Sequence, residues 1–303
     1  MVRRKDCNGP EVAWNGDLSV VDCASCGYAH LARYPGQEET STYYESDQFY
    51  RKHAPGGWLQ KEAREHKKGL WRSAYDYQIS LLSKRETRLL DVGGGGGWFA
   101  AHWLLHQGKT GDLNTVRVVE PSNLARLRSP LPRALFYRRI EDASDIYGHV
   151  RASLVLEHLP DPDQVIQSLI PKLSEHGNLM IVVPNEQNPL QLRLWDRREP
   201  AWWVSKVHVN YFTPHSLRRV LERNGLQVVY EGVTFPMEVF LLAGLDYRKH
   251  PGLGKRLHRT RLQVERLLGH RVFRLYDAMY RRWGIGRELV FVTCKTKQNK
   301  RNT

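Results

Sequence analysis

The stretch Leu89-Leu-Asp-Val-Gly-Gly-Gly-Gly-Gly-Trp-Phe99 decides the fold. Thr87 to Val92 has the short apolar run of a buried strand, and Trp98 to His106 has the composition of a helix. Five glycines between them, Gly93 to Gly97, let the chain turn sharply and bring backbone N–H groups close to a ligand at a helix N-terminus. A glycine run alone could also be a loose loop, so the residues around it must decide.

Working outward, strand and helix signals alternate. A second strand, 115–119, ends at Glu120-Pro121. Short strands follow around 135–137 and 152–156, then a helix over 163–173 and an apolar strand over 178–183, stopped by Pro184-Asn185. Thr213 is placed to N-cap a helix with Pro214 at its first position, ending near Asn224-Gly225 before a strand over 226–230. The last strand covers 288–294. This alternation predicts an α/β, doubly wound, mainly parallel sheet covered on both faces. Residues 1–45 are turn-rich and predict a small β-rich appendage, and the apolar spacing between 45 and 84 predicts one or two amphipathic helices.

Two acids sharpen the reading of the glycine loop. Asp91 lies two positions before the first glycine, and Glu120 ends the next strand, where a carboxylate can accept both hydroxyls of a ribose. Together with Gly93, Gly95 and Gly97 in Gly-x-Gly-x-Gly register, these residues resemble the first two motifs of the class I S-adenosylmethionine-dependent methyltransferases. Leu154-Val-Leu-Glu-His-Leu-Pro-Asp-Pro162 is similar to a segment of the members acting on small molecules and sugars. Leu179-Met-Ile-Val-Val-Pro-Asn185 and His208-Val-Asn-Tyr-Phe-Thr-Pro-His-Ser-Leu217 extend that likeness over about residues 85–235.

The resemblance implies a seven-stranded Rossmann-like sheet, S-adenosylmethionine as cofactor, and the Asp142-Ala143 pair beside the adenine. It divides the chain into a degenerate zinc-ribbon-like segment (1–45), a helical cap (46–84), the core (85–245), a basic helical insertion (246–286), the last strand (287–295) and a disordered tail (296–303). One departure stands out. The fourth strand of the family begins with an Asp, whereas His149-Val-Arg-Ala-Ser153 predicts a shortened strand without it, which opens the reading of a non-catalytic cofactor-binding or scaffold protein.

Methyl transfer to an alcohol needs a base for the departing proton, and a group titrating near neutrality suits that task. His158, after the fourth strand, is the first candidate and His208 the second, with Glu157, Asn185 and Tyr211 placed to orient the substrate. The plainer alternative is that His158 packs or caps the helix beginning at Asp161. The expected acceptor is a sugar, a lipid-linked glycan or another small molecule. An RNA methyltransferase is the rival that the charge permits, but Glu157-His158-Leu159-Pro160 is not the motif of amino-directed nucleic-acid enzymes, and no cysteine follows a proline. A dehydrogenase fits less well, because the glycines lack Gly-x-Gly-x-x-Gly context.

Cys23-Ala-Ser-Cys26 is a zinc half-site, which Cys7 and His30 could complete as a Cys3His set. The alternative is a metal-free fold with buried thiols. With only four Cys, no apolar run of membrane-spanning length and no leader-like start, a cytoplasmic protein is expected.

The chain carries 46 Lys+Arg against 32 Asp+Glu, a formal charge of +14, and residues 246–303 alone hold sixteen basic against four acidic residues. Within 252–283 an apolar stripe of Val264, Leu268, Val272, Leu275, Met279 and Trp283 recurs at steps of four and three, with arginines around it. The expectation is that the stripe packs on the core and the arginines face solvent. An anionic membrane surface, placing the protein at the inner face of a membrane, is the competing partner.

Overall fold

The computed structural model describes residues 7–52, 58–108 and 112–296. The tail expected to be disordered lies outside them, apart from Thr296.

Three antiparallel strands open the chain, β1 (Glu11–Asn15), β2 (Leu18–Cys23) and β3 (Tyr28–Leu31). A helix, α1 (Gln37–Glu45), ends the segment expected to be β-rich, and among the described residues three more, α2 (Gln48–Lys52), α3 (Trp58–Lys67) and α4 (Arg72–Ser80), take the place of the one or two expected after it. The large sheet is then assembled from β4 (Leu89–Val92), β5 (Val116–Val119), β6 (Phe136–Tyr137), β7 (Tyr147–Ser153) and β8 (Leu173–Pro184). Between these strands run α5 (Trp98–His106), α6 (Asn123–Leu127) and α7 (Pro162–Leu169). After β8 come α8 (Pro189–Leu194), the two-residue β9 (Asn210–Tyr211), α9 (Pro214–Arg223), β10 (Leu226–Val233), α10 (Glu238–Leu242), α11 (Pro251–Leu268), α12 (Arg271–Tyr280) and β11 (Glu288–Lys295).

The seven strands lie in the order β10-β11-β8-β7-β4-β5-β6, and only β11 runs against its neighbours. Adjacent residues of one strand point to opposite faces, so Leu90, Ile181 and Val183 pack with α7 and α9, whereas Leu89, Met180 and Val182 pack with α4, α5 and α12. Strand order reverses between β4 and β7. Ligands of doubly wound sheets bind at that switch, outside the carboxyl ends of the strands.

The fourth strand of this sheet corrects the sequence reading. β7 is seven residues long, all but the last of them buried, and it pairs with both β4 and β8. His149-Val-Arg-Ala-Ser153 is its body, not a truncated start, and residues 154–156 form the turn after it. His149 and Arg151 are buried within the strand, and these polar residues break the apolar pattern by which a buried strand is read.

α9 starts as expected: the Thr213 hydroxyl accepts the Ser216 N–H at 3.1 Å, and Pro214 takes the first position. Of the expectation for 252–283, the arginines other than Arg261 do face solvent, but the stripe does not pack on the core. Gly269, with φ 71°, breaks the helix, and α12 buries Val272, Phe273, Tyr276 and Asp277. Asp277 takes hydrogen bonds from the hydroxyls of Tyr77 and Tyr230 and from the Val233 N–H. With that polar residue drawn inward, Val264, Leu268, Leu275, Met279 and Trp283 are left exposed, and of the stripe only Val272 is buried.

Candidate active site

The glycine loop leaves β4 at the switch point. Gly93, Gly95 and Gly97 have φ of 65°, 55° and 72°, the left-handed region that side-chain-bearing residues avoid. Gly95 N–H donates to Glu120 Oε2 and Ser122 N–H to Glu120 Oε1, both at 2.9 Å, so the carboxylate ties the loop to the end of β5. Burial pushes Glu120 up to about 7, against the pull of those two N–H donors. Asp91 is fully buried beneath the loop and paired with Arg151 Nη1 at 2.7 Å. Arg151 also donates to Gln78 and lies over the Phe99 ring at 4.0 Å. Asp142 is exposed and accepts the Arg139 N–H, and Ala143 is buried.

Helices α1 and α2 cover this loop. Asp47 accepts the Ser122 hydroxyl at 2.6 Å and the Leu124 N–H at 3.1 Å, and the Tyr50 hydroxyl lies over Gly95. Neither residue carries a sequence signal of its role, since both sit in a segment legible only as amphipathic helix.

The second half of the site lies at the end of β7. The chain leaves that strand through Leu154, a non-glycine residue with φ 57°, and returns Glu157 and His158 to the sheet edge. β9 meets them there. Val209 and Asn210 donate their N–H groups to Glu157 O, and the Asn210 side chain donates to Leu156 O and Leu159 O. β9 also pairs with β3, which joins the amino-terminal sheet to the core directly beside this turn.

The consequence is a cluster of Glu157, His158 and His208 with side-chain ligand atoms within 4.8 Å of one another. His158 Nδ1 is 2.8 Å from Val207 O, an acceptor only, so Nδ1 carries the proton and Nε2 presents its lone pair. Nε2 is 3.6 Å from Glu157 Oε1. His208 Nδ1 is 2.7 Å from Glu186 Oε1, and the two imidazoles meet edge to face at 4.9 Å. Both Glu157 oxygens lack a hydrogen-bond partner among the described residues, and burial pushes this acid up to about 8 against the lowering effect of His208. Burial would lower His208, but the hydrogen bond and charge of Glu186 outweigh it and raise it. Tyr44 of α1 and Phe49 of α2 pack against the His158 ring, each at 5.9 Å.

Other expected residues are placed differently. Asn185 is buried and donates to Gly284 O at 2.8 Å, which anchors the start of β11. Tyr211 is buried in the core of the small sheet, its hydroxyl accepting the Ser205 N–H. Glu186, Tyr44 and Phe49 were not anticipated. Of these only Glu186 had a usable signal, as an acid directly following a strand end.

Cys7, Cys23, Cys26 and His30 also come together, with ligand atoms within 4.8 Å and the Cys7 and Cys26 sulfurs 3.4 Å apart. His30 Nδ1 is bound to Leu31 O, leaving the buried Nε2, which has no hydrogen-bond partner among the described residues, as the atom that can join the three sulfurs.

Residues 63–231, more than half the chain, match the sequence model of a family described as a methyltransferase domain. The chain belongs to that family, and its sheet is the Rossmann-like fold of the class I S-adenosylmethionine-dependent methyltransferases. No curated protein matches the chain by sequence. Among solved structures it is similar to the plantazolicin methyltransferase BpumL in complex with a monoazolic desmethylPZN analog and SAH, at 15% identity over 86% of this chain and 97% of that one, TM-score 0.47. It is also similar to an S-adenosylmethionine-dependent methyltransferase from Mesorhizobium loti, at 17% identity over 71% and 94%, TM-score 0.43. Such likenesses say nothing about the acceptor.

Proposed function

We propose that this methyltransferase transfers the methyl group of S-adenosylmethionine to a hydroxyl of a small acceptor, a sugar, glycolipid or other secondary metabolite, with His158 as the general base. The observation that carries this reading is the 2.8 Å contact of His158 Nδ1 with Val207 O, which assigns the proton to Nδ1 and turns Nε2 toward Glu157 in a partly buried cluster at the switch point.

S-adenosylmethionine supplies a methyl group on a positively charged sulfur. The glycine-loop residues Gly93, Gly95 and Gly97, with Asp91 and Glu120 around them, would hold it, and Asp142-Ala143 would flank the adenine. Glu120 uses one lone pair of each oxygen on Gly95 and Ser122, which leaves acceptor capacity for two ribose hydroxyls. With the methyl donor bound, His158 Nε2 would take the proton of the acceptor hydroxyl as that oxygen receives the methyl group. Glu157 packs beside His158 Nε2, and His208, oriented by Glu186, would hold the acceptor. Tyr44 and Phe49 keep water from His158.

For the cysteine cluster the donor set fits zinc. Three thiolates and an imidazole are its usual structural ligands, and the unpartnered His30 Nε2 is explained by a metal. Cys7, Cys23, Cys26 and His30 would hold it, with no part in methyl transfer.

The test is calorimetric titration of the purified protein with S-adenosylhomocysteine, beside Gly95→Asp and Glu120→Ala variants and an NAD control. Binding lost in both variants supports the cofactor site, after which hydroxylated acceptors are screened with radiolabelled methyl donor. Absence of binding by folded wild-type protein overturns the reading.

A further inference from the structure

Helices α11 and α12 turn a face to solvent that is apolar and cationic and has no carboxylate. Residues 251–283 contain nine Lys+Arg and two acids, and both acids point inward. Glu265 is buried beside Arg261 at 3.7 Å, and Asp277 is buried among Tyr77, Tyr230 and the Val233 N–H. The other eight cations are all exposed. On α12, Arg271, Arg274, Leu275 and Met279 follow helical spacing along one outer face, and Arg282 in the turn after it is exposed as well. Leu267 on α11 is 78 % exposed, and Trp283, just past α12, is 61 % exposed.

A cavity of about 440 Å³ adjoins this face. Lys67, Lys68, Arg72 and Arg266 line it and no carboxylate does. Arg266 belongs to α11 and donates to Lys68 O at 3.1 Å, so the cavity wall and the amphipathic face share a helix. Leu105, also in the wall, is 76 % exposed.

We propose that this face docks on an anionic phospholipid bilayer. Leu267, Leu275, Met279 and Trp283 enter the boundary between headgroups and acyl chains, the arginines pair with lipid phosphates, and the cavity receives one headgroup. A nucleic acid would satisfy the charge and leave the aliphatic side chains in water, so the apolar component decides between the two polyanions. Among the described residues no helix is long and apolar enough to cross a membrane, so the docking is peripheral. The inference is independent of the acceptor and of the base.

Co-sedimentation with vesicles tests it, comparing pure phosphatidylcholine with phosphatidylcholine containing phosphatidylglycerol at low and moderate salt. The full chain is expected to sediment with the anionic vesicles only, and less well as salt rises. Neutralising Arg271, Arg274, Arg281 and Arg282 to Gln together, and separately Leu275→Ser with Met279→Ser, should each weaken binding tenfold or more. Thermal midpoint and S-adenosylhomocysteine affinity should stay at wild-type values, because none of these residues touches the cofactor site. The idea is overturned if wild-type protein ignores anionic vesicles at low salt or binds neutral ones equally well. It is overturned too if the serine pair binds like wild type, which would make the face a plain polyanion site, with RNA retention as its signature.

Discussion

Arg151 and Asp91 form an ion pair inside the sheet, on the neighbouring strands β7 and β4, with Nη1 2.7 Å from Oδ1 directly under the glycine loop. Burial raises Asp91, and the charge and hydrogen bond of the guanidinium oppose that rise. Arg151→Met should therefore cost about 3–5 kcal/mol in urea unfolding, because it strands a buried charge. Adding Asp91→Asn should return part of that loss. Losses that simply add, with Asp91→Asn alone measured beside them, would show that the two residues are not coupled.

Glu120 makes cofactor binding depend on pH. Its carboxyl in the folded protein titrates near 7, above its ordinary value of 4.5, so the folded state holds this proton more tightly than the unfolded chain does. The associated stability is complete below about pH 4.5 and is lost as pH rises through about 7. Without ligand, Glu120→Gln should be more stable than wild type at pH 8. Ribose hydroxyls favour the ionised acid, so S-adenosylhomocysteine affinity should fall below pH 7, by up to about tenfold per unit. Calorimetry at pH 6, 7 and 8 checks this, and a flat profile would contradict it.

His158→Gln should lower kcat by about 10²–10⁴ while leaving S-adenosylhomocysteine affinity within a factor of two or so. Glu186→Gln, which removes the charge that raises His208, should act mainly on KM for the acceptor. A His158 variant that turns over at the wild-type rate would remove the base from that position.

The cysteine cluster predicts stoichiometric zinc by elemental analysis of protein purified without chelator. Cys23→Ser and Cys26→Ser should each abolish retention and lower the thermal midpoint. Metal-free protein of unchanged midpoint would make the cluster a set of buried thiols.

What contiguous residues dictate was legible in the chain. The strand, glycine loop and helix around Asp91–Trp98, the acid ending β5, and the Thr213–Pro214 helix start all rest on local dihedral and hydrogen-bond rules, and each lies where its residues place it. Tertiary packing decided the rest. His158 meets His208 and Glu186 only because β9 bridges the small sheet and the turn after β7. Arg151 finds Asp91 only through strand order. α12 exposes Leu275 and Met279 because its other face offers two tyrosine hydroxyls a buried carboxylate. Periodicity states which residues of a helix share a face, but which face turns inward depends on partners far away in sequence, and those are chosen by the fold as a whole.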